Sequence, residues 1–404
     1  MSQRRFPTND SLKDGRWISA AVFFQERKKA MKKGLAIGMT ILLLMVLAAG
    51  AALCVHCSML PEATTQYYEQ KAAQEAQNED SAEAELMRLL LGGGAAAAEP
   101  KEPKVFAPFF NRYGLLLSLS ALAGILVFFA RNEKKTGHFA AALMAAVFGL
   151  LGSRLFYAAA NFGFYVLDIG MPAAMLRIWE GGLSLSGALA GAALGAWLGA
   201  KIGKIPAGKT LDQLIPGLLL FAAGARLSEM AIDAGFGMEM NSALWIFTRD
   251  TGDGYRLNTA LLMALIDLLL MIAVVWKKDM RAGDRSWLGT FLYGGVHILL
   301  ESLRRDGHML LGFVHMEQLF ALLIALPALL IFAVRARKIW MALPATAVLS
   351  VAVIGLEFAL DRSNIGDGIL YLVYALLLCG YLLLGLHIYR KQEKLFRQDQ
   401  AIQA

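Results

Sequence analysis

Ionisable side chains interrupt two otherwise apolar stretches of the chain at helical spacing. Arg226 and Glu229 are three residues apart, and His297, Glu301 and Arg304 follow one another at intervals of four and three residues. Such spacing places the members of each set on one face of a helix. An arginine can bind a phosphate group, and a histidine one turn from a carboxylate can exchange protons near neutral pH. We therefore predict a site for anion binding and proton transfer, with Arg226, His297 and Glu301 as its catalytic residues.

A purely structural interpretation of both sets is also open. Arg226 and Glu229 could neutralise each other at a helix interface, while Arg304 and Arg305 could reach lipid headgroups at the membrane surface. An arginine inside an apolar span costs about 2.5–3.5 kcal/mol, so Arg226 must face a cavity or a partner in either case. The spacing alone does not decide between the two interpretations.

The composition indicates the class of protein that positions these residues. Of 404 residues, 57% are hydrophobic and 18% are charged, which excludes a soluble domain with a single buried core. A helix needs roughly 20 apolar residues to cross the hydrocarbon layer of a membrane. About ten such stretches are present, near residues 35–56, 114–130, 139–160, 181–200, 211–232, 258–276, 286–302, 315–334, 339–360 and 369–389. We therefore predict an all-α polytopic membrane protein with about ten transmembrane helices.

Positively charged residues separate these stretches in a regular pattern. Lysines and arginines cluster before the first stretch and again after every second one, at residues 4–33, 131–135, 201–209, 277–285, 335–338 and 390–391. Because cytoplasmic loops of membrane proteins carry an excess of Lys and Arg, both termini are expected to be cytoplasmic. This topology and attraction to anionic lipids account for the net charge of +7, so no nucleic-acid partner is expected.

Composition also divides the chain into three parts. Residues 1–104 hold a basic N-terminus, an anchor helix and a polar loop with a Gly-, Ala- and Pro-rich linker, and this loop is expected to be extracytoplasmic. Residues 105–338 form a membrane core. Residues 339–404 add a transmembrane hairpin and a cytoplasmic tail.

Glycines form a stripe along one predicted span of the core. Gly187, Gly191, Gly195 and Gly199 recur every four residues. Small residues at this spacing let two membrane helices approach with their backbones in contact. The stripe therefore predicts close helix packing.

Short polar and glycine-containing motifs follow one another along the core. They are Tyr113–Leu115, Gly152–Tyr157, Arg177–Ser184, Asp212, Ala225–Glu229, Glu301 with Arg304, and Met316–Leu319. In type, order and spacing these motifs resemble those of the bacterial prolipoprotein diacylglyceryl transferases. The resemblance implies a core with that family's helical fold, in the bacterial plasma membrane.

The resemblance also implies an activity and a set of substrate-binding residues. In that family the thiol of a preprotein cysteine replaces glycerol phosphate on phosphatidylglycerol, and no metal or other cofactor is expected. The expected partners are a membrane phospholipid, above all phosphatidylglycerol, and a lipoprotein precursor. The substrate-binding residues predicted on this basis are Tyr113, Arg154, Ser186, Gly187, Glu229 and Arg304.

Several positions differ from the family's pattern. Ser186 stands in place of a histidine, Glu229 in place of an asparagine, and His297 in place of an arginine. A serine does not accept a proton at neutral pH, so catalysis would require other groups. Two functions therefore stay open: a divergent transferase that moves a lipid-derived group at the outer leaflet, and a catalytically inactive relative that binds lipid or protein as a membrane scaffold.

Overall fold

A computed structural model of the chain describes residues 112–403, except 132–135, 164, 167–174, 177–181, 233, 251–253, 278–279, 306–309, 312 and 364. Within this part, nine long α-helices follow one another: α1 (Arg112–Ala130), α2 (Thr136–Ala160), α3 (Leu185–Ile202), α4 (Ala207–Glu229), α5 (Thr259–Trp276), α6 (Asp284–Ser302), α7 (Met316–Arg335), α8 (Ile339–Arg362) and α9 (Asp367–Gln403). Eight of them are long and apolar enough to cross a membrane, and the more polar α6 is largely buried among them. The predicted all-α polytopic membrane fold is confirmed.

The helices begin and end close to the limits of the predicted spans. α5 illustrates the reason: the Asn258 side chain accepts a hydrogen bond from the Leu261 N–H at 3.1 Å and so caps the first turn. α9 is the exception, because it continues to Gln403 beyond its apolar stretch. Its last turns are rich in Lys, Arg, Gln and Glu, which favour a helix without requiring a hydrophobic environment.

The hairpin of α8 and α9 shares a hydrophobic cluster with α6 and α7. Phe291, Phe332, Leu349 and Tyr374 contribute one large side chain from each of these four helices. The hairpin is therefore packed on the core. The division of the chain at residues 104 and 338 stays a prediction, and the predicted span near 35–56 and the loop that follows it lie outside the described residues.

Short strands, which the sequence did not lead us to expect, join some of the helices. β1 (Phe236–Met240), β2 (Thr248–Asp250) and β3 (Tyr255–Asn258) form an antiparallel sheet in the order β1-β3-β2 between α4 and α5. β4 (Leu310–Leu311) and β5 (Val314–His315) pair between α6 and α7. A bridge between Gly237 and Arg304 joins the larger sheet to the residues after α6. Strands this short leave little periodicity in the sequence.

The glycine stripe lies where α3 packs against α2. A Cβ atom at Gly191 would overlap the carbonyl oxygen of Phe148, and one at Gly195 would overlap that of Met144. Gly187 lies equally close to the backbone of Gly152. The predicted close packing of two helices is thus what the structure shows, since no larger side chain fits between these backbones.

Hydrogen bonds and ion pairs show which helix ends lie together. At one end, Lys277 after α5 contacts Glu393 of α9 at 3.1 Å, and Asp212 of α4 accepts the Gly283 N–H at 2.6 Å. The basic residues found at this basic end, in the last turns of helices or just beyond them, include Arg131, Lys201, Lys204, Lys277, Arg281, Arg335 and Lys338. At the opposite end, here called the polar end, Arg226 of α4 contacts Glu301 of α6. The two ends therefore differ sharply in charge.

The stripe generates a stability prediction. Gly195→Leu should force α2 and α3 apart and lower the free energy of unfolding by about 1–3 kcal/mol or more, as overpacking generally does. The matched control is Gly355→Leu in α8, since a Cβ at Gly355 meets open space. Thermal unfolding in detergent should show a lower Tm for the first variant alone. Equal Tm values for the two variants would contradict the proposed packing.

Candidate functional site

Arg226 lies in the last turn of α4 and is almost completely buried. Its Nη1 donates to Glu229 Oε1 at 3.0 Å, and its Nη2 donates to Glu301 Oε1. Glu229 is one turn further along the same helix, whereas Glu301 comes from the last turns of α6. The guanidinium therefore lies between two carboxylates at the polar end of the molecule.

Arg304 extends this cluster from the residues that follow α6. Its Nη1 donates to Glu229 Oε2 at 3.1 Å, and its Nε lies 3.9 Å from Glu301 Oε2. Two arginines and two carboxylates thus alternate, and their formal charges cancel. Removing one member of a buried ion pair typically costs 3–5 kcal/mol, because the partner is left uncompensated. Arg304 is buried here and does not extend along the membrane surface as the structural interpretation suggested.

His297 lies behind this cluster. Its Nε2 is 2.8 Å from Asp267 Oδ1 of α5, its Nδ1 is 3.8 Å from Glu301 Oε1, and its ring stacks on Tyr293 at 4.0 Å. The imidazole is 1% exposed. His297 therefore reaches Arg226 only through the carboxylate of Glu301.

A cavity of about 460 Å³ adjoins the cluster. Its walls come from α1, α2, α3 and α4, and most of its lining is apolar or small, as with Leu117, Ala145 and Phe221. Charged and hydroxyl side chains line it at the polar end: Tyr113, Ser184, Arg226, Glu229, Arg304 and Glu317. The cavity is therefore amphipathic, with an apolar body and one charged end.

Ser184 and Glu317 join two helix N-termini beside this cavity. The Ser184 side chain caps α3 by accepting the Gly187 N–H at 3.2 Å, and its hydroxyl donates to Glu317 Oε1 at 2.6 Å. Glu317 lies in the first turn of α7. Its Oε2 is buried and accepts no hydrogen bond from the described part of the chain.

The structure brings together some of the predicted site residues and separates others. Arg226, Tyr113, Glu229 and Arg304 line the cavity, and Glu301 lies directly behind Arg226. The predicted residues outside the lining are Glu301, Arg154, Ser186, Gly187 and His297. The roles of all these residues in binding and catalysis stay predictions, but direct contact with a ligand in this cavity is confined to the four lining residues.

Arg154 illustrates why a motif residue can lie apart from the cavity. Its Nε donates to the Met175 carbonyl at 2.8 Å, and its Nη1 donates to the Gly182 carbonyl at 3.2 Å. Its guanidinium also lies over the rings of Tyr157 and Tyr165. Arg154 therefore holds the segment that leads into α3.

Ser186 and Gly187 lie in the first turn of α3, buried on the side that faces away from the cavity lining. Gly187 packs against Gly152 and Phe156 of α2. Ser186 is 3% exposed. Gly187 therefore contributes to helix packing, and Ser186 is buried outside the cavity lining.

Three polar residues of the site were not singled out by the sequence. Asp267 belongs to none of the motifs described above, although an ionisable residue inside an apolar span is by itself a signal of a polar partner. Ser184 and Glu317 lie within two of those motifs, Arg177–Ser184 and Met316–Leu319. Their contact joins residues 133 positions apart, and no spacing rule within one helix could have revealed it.

Comparison with known proteins identifies the family. The family model described as prolipoprotein diacylglyceryl transferase matches residues 106–334, which is more than half of the chain. A phosphatidylglycerol–prolipoprotein diacylglyceryl transferase of Mycobacterium leprae is 32% identical over 179 residues, covering 41% of this chain and 54% of that protein. The match thus spans about half the length of this relative.

Two further relatives have the same name. The protein of Lactococcus lactis is 26% identical over 217 residues, covering 52% of this chain and 82% of its own. That of Rhodococcus jostii is 28% identical over 225 residues, covering 50% and 63%. The matched region contains the cavity and the whole cluster of charges around Arg226. The chain therefore belongs to the prolipoprotein diacylglyceryl transferase family.

Proposed function

We propose that the chain is a membrane transferase that moves a diacylglyceryl group from phosphatidylglycerol to the cysteine thiol of a lipoprotein precursor. The observation that supports this most is the amphipathic cavity, whose apolar body leads to Arg226 and Arg304. A phospholipid matches this arrangement, because its apolar acyl chains lead to a negatively charged phosphate. The names of the relatives indicate the same donor and acceptor for those proteins.

The dimensions of the cavity are compatible with an acyl chain. Tyr113 and Phe128 both line it, and both belong to α1. At 1.5 Å per residue they are about 22 Å apart along the helix axis, which is most of the thickness of a hydrocarbon layer. An acyl chain that lies along α1 would place the phosphate near Arg226.

The charge cluster supports phosphate binding at the polar end. Arg226 and Arg304 both donate to Glu229, whose side chain is 18% exposed and is the most accessible carboxylate of the cluster. A phosphate that entered here would replace Glu229 as the acceptor of one or more of these hydrogen bonds. Glu301 would stay in place and keep Arg226 oriented.

The role of each predicted site residue then follows from its place relative to the cavity. Arg226 is the catalytic residue that contacts phosphate, with Tyr113, Glu229 and Arg304 around the headgroup. His297 and Glu301 act through Arg226, which makes them positioning residues. Arg154, Ser186 and Gly187 lie outside the lining, where Arg154 holds Gly182 and Gly187 packs against α2.

The distribution of charge supports a reaction at the outer leaflet. The basic end holds more lysines and arginines at helix ends and in loops than the polar end does, and the positive-inside rule assigns such an end to the cytoplasm. The cavity's charged end lies at the opposite side. Phosphatidylglycerol would then be taken from the outer leaflet, with the C-terminus in the cytoplasm.

One observation favours the alternative of a non-catalytic scaffold. Both arginines are already paired with carboxylates, so the cluster is neutral without any ligand. A lipid would then occupy the cavity without reacting. The retained cavity is common to both functions, and a transfer assay separates them.

The first prediction concerns the reaction. The purified protein in micelles with phosphatidylglycerol should convert a cysteine-containing signal peptide into its diacylglyceryl thioether, detected by mass spectrometry. Arg226→Lys retains a positive charge beside the two carboxylates but loses the planar guanidinium that can donate two hydrogen bonds to a phosphate. We therefore expect kcat/KM to fall about 10–100-fold. Arg256→Gln, which changes an arginine of β3 outside the cavity, is the matched control. Absence of transfer by the unmutated protein would contradict the transferase function and favour the non-catalytic scaffold.

The second prediction concerns phosphate binding. Glu229→Gln should free hydrogen-bond donors of both arginines and tighten the binding of phosphatidylglycerol about tenfold, equivalent to about 1.4 kcal/mol. Calorimetry in detergent measures the change. Glu239→Gln, at an exposed ion pair with Arg256, should leave the affinity unaltered. Unchanged or weaker binding by Glu229→Gln would mean that the arginines do not contact the phosphate.

The third prediction concerns orientation. In a background without the native cysteines, Arg256→Cys should react with a membrane-impermeant maleimide added to intact cells, because β3 lies at the polar end. Lys204→Cys, at the basic end, should react only after the membrane is permeabilised. The reverse pattern would exclude a reaction at the outer leaflet.

A further inference from the structure

Glu317 is the carboxylate in the cavity lining whose bonding is incomplete within the described chain. The lining contains one other carboxylate, Glu229, and both of its oxygens accept hydrogen bonds from arginines. Glu317 Oε1 accepts the Ser184 hydroxyl at 2.6 Å, while its Oε2 is buried without a hydrogen-bond partner in the described residues. A buried carboxylate oxygen without a donor costs free energy unless it serves a ligand.

The position of Glu317 is held from several sides. The first turn of α7 is fixed by a capping box, in which the His315 N–H donates to Gln318 Oε1 at 3.0 Å. Gln318 Nε2 in turn donates to the Ile298 carbonyl of α6 at 3.1 Å. Ser184 is fixed as well, since its N–H donates to the Ser153 carbonyl at 3.0 Å. The carboxylate of Glu317, a residue of the cavity lining, is therefore held in place.

Positive partial and formal charge lies close to this carboxylate. Glu317 lies in the first turn of a helix, where the positive end of the helix dipole stabilises an anion. Arg226 lines the same end of the cavity. A carboxylate with one oxygen anchored by a hydroxyl and the other without a hydrogen-bond donor is suited to accept a proton.

The other candidate bases are less well placed. His297 is engaged with Asp267 and lies behind Glu301, outside the cavity lining. Ser186, at the position of the family's histidine, is also outside the lining. Neither group can reach a thiol that enters the cavity from the polar end.

We propose that Glu317 is the general base that takes the proton from the acceptor thiol, an inference that rests on the transferase function proposed above. The thiol S–H bond breaks and its proton moves to Glu317 Oε2. The sulfur lone pair forms a bond to the terminal glyceryl carbon of the diacylglyceryl group, and the bond from that carbon to the phosphate oxygen breaks. Glycerol phosphate leaves with the electron pair, and the proton passes from Glu317 to a phosphate oxygen of the departing group.

Glu317→Gln tests this assignment, because the amide retains an oxygen for the Ser184 hydroxyl but cannot accept a proton at neutral pH. With a cysteine peptide in phosphatidylglycerol micelles, kcat/KM should fall about 10²–10⁴-fold. With the matching selenocysteine peptide, whose selenol is already ionised at neutral pH, the same variant should lose less than about tenfold. Glu239→Gln serves as the neutral control on both peptides.

The two peptides distinguish a base from a merely structural residue. An equal loss on both peptides, or full activity of Glu317→Gln on the cysteine peptide, would overturn the assignment while leaving the transferase function intact. Absence of transfer by the unmutated protein on either peptide would overturn both.

Ser184→Ala provides a second test if Glu317→Gln fails to fold. This variant keeps the carboxylate but removes the donor that orients it, so it should show a smaller loss that also shrinks with the selenocysteine peptide. A loss that is the same for both peptides would again contradict the assignment. Thermal unfolding in detergent checks that each variant is folded.

Discussion

A guanidinium buried in a membrane helix requires counter-charges, and the polar end of this protein is organised around that of Arg226. Glu229 supplies one charge from the same helix and Glu301 supplies another from α6. Arg304 then supplies the second positive charge by pairing with Glu229, and this contact brings the residues after α6 into the cluster. Because an uncompensated buried charge would cost several kcal/mol, α4 and α6 must keep one relative height and rotation. This constraint also fixes the positions of the charged side chains at the polar end of the cavity.

This pairing of the arginines with carboxylates also affects how strongly an anionic ligand can bind. The arginines are neutralised before any lipid arrives, so a phosphate must compete with Glu229 for their hydrogen bonds. In the family pattern an asparagine stands at this position, and an amide would compete less. The substitution therefore shifts the balance between ion pairing within the protein and binding of an anionic headgroup, while the apolar body of the cavity is unaffected.

The C-terminal hairpin is connected to the same region by a buried polar contact. Gln318 Nε2 lies within hydrogen-bond distance of Glu357 of α8 and of the Tyr374 hydroxyl of α9, at 2.6 and 3.0 Å. Gln318 is the neighbour of Glu317 in the first turn of α7. A satisfied buried polar group specifies one arrangement of the helices that share it. The hairpin thus contributes to fixing the wall of the cavity, although it lies beyond the residues that the family model matches.

The sequence by itself determined the features that depend on distance along one helix. Apolar length predicted the long helices of the described residues, the four-residue period of Gly191 and Gly195 predicted close packing, and the three-residue spacing predicted the pair of Arg226 with Glu229. These predictions succeeded because helix geometry converts spacing directly into position. The short strands left no comparable signal, since two to five residues hold too little periodicity.

Only the tertiary structure decided which of these faces meet. The pairing of Arg226 with Glu301 joins positions 75 residues apart, and His297 lies against Asp267 of another helix and does not line the cavity. Ser184 and Glu317 likewise meet across two helix N-termini. Such contacts depend on how far each helix is rotated and shifted against its neighbours. That rotation is set by the packing of all the side chains at once, so it cannot be derived from the spacing within any single helix.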